Sequence, residues 1–104
     1  MKKMPKRYAV LCHRIDCGDE TVFQLENEHG VDWWDTKSEA RRAMKADFRL
    51  MEEDYSPEWS ADGKTDPCIR AIGNDEIRLI IPIWNAELEK EDTIQCHWQI
   101  VEIT

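Results

Sequence analysis

The sequence is poor in long apolar stretches, in glycine and in catalytic signatures. No window approaches the roughly 18 apolar residues of a membrane span, which argues against a helical membrane protein. Only four glycines are present, and no glycine-rich phosphate loop, G-x-S-x-G, H-E-x-x-H or C-x-x-C motif occurs. Positive charge is also scarce, because 14 Lys and Arg stand against 22 Asp and Glu, for a formal net charge of -8. Such a chain is unsuited to coating DNA or an anionic membrane.

The length and the first residues bear on domain organisation and localisation. A chain of 104 residues corresponds to a single domain, 1–104, of which residues 1–6 are predicted to be a flexible basic tail. The apolar run that follows, Tyr8 to Cys12, is too short for a secretory signal, which needs roughly 7–15 apolar residues. We therefore expect a cytoplasmic protein that does not contact a membrane.

Apolar periodicity predicts one long helix between two groups of strands. Thr36, with Glu39 three residues later, forms a capping box. Ala40, Met44, Phe48 and Met51 then form an apolar stripe at helical spacing. This stripe predicts a helix over 37–55. Strand-forming runs occupy 7–13, 21–26, 31–34, 68–72, 77–84 and 94–103. This order, β-β-β-α-β-β-β, predicts an α+β domain with a mostly antiparallel sheet of five to six strands.

The last two predicted strands are apolar on both faces, which leaves more apolar surface than one helix covers. A helix is about 10 Å wide and strands lie about 4.8 Å apart, so the helix covers two or three strands. Pro82 removes a hydrogen-bond donor and predicts an edge strand or a bulge. We expect the second face to serve as a partner surface or a homodimer contact, in preference to curling into a partial barrel.

Cysteine and histidine supply the ingredients of a metal site or a nucleophilic enzyme. Cys12-His13 and Cys96-His97 would meet if the first and last strands pair, but neighbouring strand residues point to opposite faces, so neither dipeptide can chelate one ion. The expected packing thiols are Cys12, Cys17, Cys68 and Cys96. We expect no catalytic residue, metal or cofactor, with a cysteine- or metal-dependent enzyme as an alternative.

Acidic residues form three clusters that are candidates for binding another protein. The members of the three are, in order, Asp16, Asp19 and Glu20; Glu52, Glu53 and Asp54; and Glu87, Glu89, Glu91 and Asp92. Carboxylates held on a rigid sheet can imitate DNA phosphates and occupy a basic groove, and the same charges can instead serve only to solubilise the chain. Their spacing does not fit a calcium-binding loop.

Tryptophans and a basic helix face provide two further candidate contacts. Trp33 and Trp34 are adjacent, so one of them should face outward; an outward Trp34, together with Trp84 near a strand end, suits a contact with a partner. The alternative for both is burial in a curled sheet. Three cations project from the helix face opposite the apolar stripe: Arg42, Lys45 and Arg49. They form either a solvated face that pairs with Glu52 and Glu53 or a patch that binds an anion.

Two segments resemble the small acidic accessory proteins of bacteriophages and mobile elements: the run from Val31 to Ala40, VDWWDTKSEA, and the closing run from His97 to Ile103, HWQIVEI. The resemblance implies a protein that acts in the host cytoplasm, in a class that includes anti-CRISPR and anti-restriction inhibitors, and it transfers no individual residue. We therefore expect a non-enzymatic inhibitor of a host nuclease or defence effector, without direct nucleic-acid contact. The alternative is a binder of anionic nucleotides.

Overall fold

The computed structural model describes residues 6–55 and 68–103, in which one helix packs on a five-stranded antiparallel sheet. The elements are β1 Arg7–Asp16, β2 Asp19–Gln24, α1 Lys37–Tyr55, β3 Ile69–Ile72, β4 Glu76–Asn85 and β5 Lys90–Ile103. The strand order in the sheet is β2-β1-β5-β4-β3, so the first and last strands pair at its centre. The predicted α+β class is confirmed. Residues 1–5 of the predicted basic tail lie outside the described residues.

The helix has the predicted bounds. The hydroxyl of Thr36 accepts a hydrogen bond from the backbone N–H of Glu39 at 3.2 Å, which satisfies one of the unpaired donors of the first turn. Ala40, Met44 and Phe48 are buried against the sheet, as the apolar stripe predicts. Over residues 6–55 and 68–103, no helix is both long enough and apolar enough to cross a membrane.

The third predicted strand, 31–34, is wrong, and α1 follows the second strand. The side chain of Asn27 organises the turn that leads into this segment, because its Oδ1 accepts from the N–H of His29 at 2.8 Å and of Val31 at 3.1 Å. The backbone of Trp34 alone bridges to Tyr8. A loop closed by one side chain therefore replaces the strand.

The core lies between α1 and one face of the sheet. Alternate residues of the three central strands point to the helix, and those that are buried are Val10, Cys12, Ile77, Leu79, Ile81, Ile94, Cys96 and Trp98. Trp98 is 1% exposed, its ring meets Phe48 edge-on at 5.7 Å between centroids, and its Nε1 donates to Asp47 Oδ2 at 2.8 Å. This hydrogen bond allows a polar indole N–H to be buried at the centre of the core.

Pro82 and β5 behave as local geometry requires. Within the described residues β3 pairs only with Ile77–Ile80, so β4 is locally an edge strand at Pro82 and no ladder donor is missed. The pairing of β5 with β1 continues through ten residue pairs without a bulge. The apolar residues of β5 therefore face both sides of the sheet, and the sheet stays open, with β2 and β3 at its edges.

Candidate protein-binding surface

Two hairpin turns lie at the same end of the sheet, where the β4–β5 hairpin extends three residue pairs beyond the level of the β1–β2 turn. The β1–β2 turn consists of Cys17 and Gly18, and the β4–β5 turn spans residues 86–89. Because β1 and β5 pair antiparallel, Asp16 lies opposite Ile94, and the Cys17 N–H donates to the Thr93 carbonyl at 3.2 Å. The first and third acidic clusters thereby lie at the same end of the sheet, here named the acidic end: Asp16, Asp19, Glu20, Glu87, Glu89, Glu91 and Asp92. By strand alternation, Asp16, Asp19 and Asp92 are on the side of α1, whereas Glu20 and Glu91 are on the opposite side.

The β1–β2 turn is tight and strained. Cys17 and Gly18 have φ values of 50° and 92°, which define a two-residue type I′ turn whose twist matches the flanking strands. Glycine adopts this geometry freely, whereas a cysteine pays a steric penalty for its Cβ. The role of Cys17 was not predicted from the sequence, although the following glycine between two aspartates was a signal for such a turn.

The β4–β5 turn is organised by the side chain of Asn85. Its Oδ1 accepts from the N–H of Glu87 at 3.1 Å and of Leu88 at 3.2 Å, and its Nδ2 donates to Asp92 Oδ2 at 3.3 Å. Glu89 adopts a φ of 48°, in the left-handed region. These bonds hold the turn in one shape, so the carboxylates on it are presented from a defined backbone.

The acidic end carries concentrated negative charge. Residues 14–20 and 84–92 contain seven carboxylates and two cations, Arg14 and Lys90, for a formal net charge of -5. The Thr93 N–H and the Asn85 amide, both hydrogen-bonded to Asp92, lower the pKa of that carboxyl. Burial, followed by the charge of Asp92, raises the pKa of the Cys17 thiol. Local geometry therefore favours a charged Asp92 and a neutral thiol beside it.

A groove of about 770 Å³ lies between the two hairpins, and its charged lining residues are Arg14, Asp16, Asp19 and Glu87. It is lined in part by Phe23, which is 40% exposed, and by the half-buried Ile83. Trp84, at the margin of the groove, is 64% exposed, and Leu88 in the adjacent turn is 62% exposed. The predicted exposure of Trp84 is confirmed, and it lies within the acidic surface.

The prediction that Trp34 faces outward is wrong. Trp34 is 9% exposed and belongs to the core, because its backbone exchanges two hydrogen bonds with Tyr8, at 2.8 and 2.9 Å, and its ring turns under the helix. The neighbouring Trp33 is half-buried instead, with the Arg7 guanidinium 4.1 Å above its ring. The choice within the pair depends on the bridge to β1, which adjacency alone does not reveal.

The second acidic cluster stays separate from the acidic end. Glu52 is half-buried in the last turns of α1 and is bound by Arg70 of β3, whereas Glu53 and Asp54 are exposed. The expected pairing of the basic helix face with Glu52 is thus replaced by an ion pair to the sheet. This pair anchors the helix and leaves Glu52 less accessible to a partner.

In the described part of the chain, the basic helix face contributes one residue to the two grooves. Arg42, Lys45 and Arg49 are exposed, and of the three only Arg42 lines the groove of about 860 Å³ between α1 and the loop before it. The same groove is lined by carboxylates, namely Glu26, Glu28, Asp35, Glu39 and Asp47. Their charge opposes the binding of an anionic nucleotide there.

The cysteine–histidine dipeptides are divided between the two faces of the sheet. Cys12 and Cys96 lie under the helix, where burial raises their pKa to about 12 and about 11, respectively. Such thiols are poor nucleophiles at neutral pH. His13 and His97 pair across the opposite face. Within residues 6–55 and 68–103, no three His, Cys, Asp or Glu side chains are grouped to hold a metal ion.

The acidic end is the described surface where most of the sequence-predicted site residues gather. Comparison of the chain with protein family models, curated proteins and solved structures finds no match. Function is therefore inferred from the charge, exposed tryptophan and turn geometry of this surface.

Proposed function

We propose that the chain is a non-enzymatic inhibitor, of the kind carried by phages, that binds a host nuclease or defence effector through the acidic end. The observation that supports this most directly is that two acidic clusters about 70 residues apart in the sequence lie at the same end of the sheet. Seven carboxylates on adjoining hairpins form an anionic surface of the type that a basic DNA-binding groove attracts.

The architecture of the acidic end favours recognition over simple solubilisation. The hydrogen bonds to Asn85 hold the backbone of the β4–β5 turn, and with it Glu87, in one shape. Rigid placement lowers the entropy lost on binding. Trp84 and Leu88 add exposed apolar area, and a tryptophan surrounded by charge is a common centre of protein interfaces. A surface that served only to keep the chain soluble would not need either side chain.

The proposal predicts competition with DNA. Purified bacterial nucleases, including restriction enzymes and RNA-guided nucleases, are loaded with fluorescent duplex DNA, and its release by the full chain is followed by fluorescence anisotropy. We expect the chain to displace DNA from at least one nuclease. The chain should bind that nuclease at least tenfold more weakly at 300 mM than at 50 mM NaCl, because salt screens the contact between charged surfaces.

Charge-neutralised variants test whether the acidic end is responsible. The triple variant Asp19→Asn, Glu87→Gln, Glu89→Gln should weaken displacement at least tenfold. The matched control, Glu26→Gln, Glu28→Gln, Asp32→Asn, removes the same charge from exposed positions in the loop before α1 and should change it less than threefold. Equal effects of the two triple variants would show that binding depends on net charge alone and would contradict a role for the acidic end. Inhibition that survives neutralisation of the acidic end would refute the proposal.

A further inference from the structure

The outer edge of β2 carries a row of backbone hydrogen-bonding groups. This strand lies at the edge of the sheet, and all six of its residues are exposed. The Leu25 N–H donates to the Val10 carbonyl at 3.0 Å, so by alternation the odd-numbered residues of β2 bond to β1. The N–H and C=O groups of Glu20, Val22 and Gln24 therefore point away from the sheet, and among the described residues they have no hydrogen-bond partner.

The two edges of the sheet differ in what opposes the addition of another strand. The β3 edge offers only four residues and is continued by Pro82 of β4, which has no N–H. Natural edge strands are commonly shortened, charged or interrupted by proline in this way. In contrast, β2 has no proline, and its segment Thr21 to Gln24 carries no charge. Since α1 packs mainly on β1, β4 and β5, the helix also leaves the β2 edge open.

The side chains along this edge place an apolar centre between negative charges. Val22 is 65% exposed and Phe23 is 40% exposed. Four exposed carboxylates flank this centre, two at the start of β2 and two after its end: Asp19, Glu20, Glu26 and Glu28. Glu20 lies 3.7 Å from His13 Nε2, and its side chain remains 67% exposed. A strand that pairs with β2 therefore meets apolar side chains in the middle and negative charge towards both ends.

We infer that β2 binds an extended basic segment of another protein, which adds to the sheet as a sixth strand. Backbone hydrogen bonds to Glu20, Val22 and Gln24 supply affinity that does not depend on the sequence of the segment. Cations near both ends of the segment are attracted to the flanking carboxylates, which selects basic segments over acidic ones. The inference does not rest on the proposed inhibitor function, because its recognition element is the backbone of one edge strand.

A second copy of the chain is a poorer occupant of this edge. Antiparallel pairing of β2 with itself about Val22 would match the outward backbone groups of the two copies. It would also place the partner's Asp19 level with Leu25 and next to Glu26. Each copy carries a net charge of -8, so like charges oppose this association, whereas they favour a basic segment.

Binding of a defined peptide tests the inference. The probe is the fluorescein-labelled peptide KRTVTVRK with blocked ends, and its binding to the full chain is followed by fluorescence anisotropy. We expect a dissociation constant below about 100 µM at 50 mM NaCl. The same peptide with methylated backbone nitrogens keeps its charge but cannot donate backbone hydrogen bonds, and it should bind at least tenfold more weakly. Absence of binding, or equal binding of both peptides, would overturn the inference.

Proline substitutions on the two edges form a matched pair of variants. Val22→Pro removes an outward N–H that β1 does not use, and it should weaken peptide binding at least tenfold. The Gly73 N–H donates to the Glu76 carbonyl at 2.8 Å, so the N–H of Ile72 points away from β4. Ile72→Pro therefore removes an outward donor from the opposite edge and should change binding less than threefold. Equal effects would contradict the assigned edge. Urea unfolding checks that both variants fold, and the methylated peptide tests the same bonds on the unaltered chain.

Hydrogen exchange and sedimentation separate the remaining outcomes. Saturating peptide should slow amide exchange at Val22 and Gln24 at least tenfold and leave Ile72 unchanged, whereas protection elsewhere alone would overturn the inference. A dimer without peptide that is lost in Val22→Pro would assign the edge to a second copy and would also overturn it. Val22→Pro keeps the seven carboxylates of the acidic end, so its DNA displacement should be unchanged and the two proposals fail separately.

Discussion

The covered middle of the sheet and the acidic end are built from the same strands and differ in what opposes them. In the middle, α1 seals Ile77, Leu79 and Trp98 to 1% exposure or less. On the same side of β4, beyond Ile81, the next residue, Ile83, is only half-buried. The acidic end continues from there with carboxylates, an exposed tryptophan and two turns in left-handed backbone.

The difference separates the part of the sheet that stabilises the fold from the part that is proposed to bind a partner. Apolar burial under the helix supplies most of the driving force for folding. The acidic end contributes little burial, concentrates like charges and holds Cys17 in an unfavourable conformation. Its turns are nevertheless fixed by the hydrogen bond that the Glu87 N–H donates to Asn85 Oδ1 and by the one that the Cys17 N–H donates to the Thr93 carbonyl. Strain retained in an ordered surface is more common where that surface binds something.

The largest expected contrast is between two tryptophans. Trp98→Ala should lower the free energy of unfolding by about 3–5 kcal/mol, because it leaves a cavity and removes the partner of Asp47. Trp84→Ala should change it by less than about 0.5 kcal/mol, since the side chain is 64% exposed. Urea unfolding followed by circular dichroism measures both. Similar losses in free energy of unfolding would show that Trp84 stabilises the fold as a core residue does, and would contradict the contrast between the two regions.

Relief of turn strain should have the opposite sign. Cys17→Asn should raise the free energy of unfolding by about 1 kcal/mol, because Asn-Gly is the preferred pair for a type I′ turn. Cys17→Ala removes the thiol without supplying the amide side chain that hydrogen-bonds locally in left-handed backbone, and it serves as the control that should show no such gain. Chemical denaturation at pH 7 measures both variants. A lower free energy of unfolding for Cys17→Asn would show that the contacts of the thiol stabilise the fold more than asparagine stabilises the turn.

Acidification should weaken the ion pairs that join Lys37 and Arg41 of α1 to Asp75, in the turn before β4. This is the smallest of the three expected effects. Lys37 at 2.9 Å and Arg41 at 2.8 Å hold the pKa of Asp75 below its ordinary value. A lowered pKa stabilises the fold at neutral pH, and this contribution is lost as the pH falls through the folded-state value. Asp75→Asn should therefore reduce the difference in stability between pH 7 and pH 3. Urea unfolding at the two pH values measures this difference, and an unchanged difference in Asp75→Asn would contradict the contribution of these ion pairs.

Sequence reasoning was most successful where local chemistry decides the structure. The helix bounds follow from the cap at Thr36 and the apolar stripe, and the two-sided character of β5 follows from alternation. It failed at 31–34, where one asparagine side chain competes with strand pairing. It also missed Asp47, an acid that lies within the apolar stripe and pairs with Trp98. Both outcomes depend on partners distant in the chain or on a single side-chain bond.

The sequence by itself determined which residues form the helix and most of the strands, because caps and periodicity act over a few neighbours. It also set the excess of negative charge. Only the tertiary structure decided that β1 pairs with β5, that Asp16 and Asp92 lie at the same end, and that Trp34 turns inward while Trp84 stays exposed. Register and strand order depend on contacts between distant segments, and no local pattern contains that information.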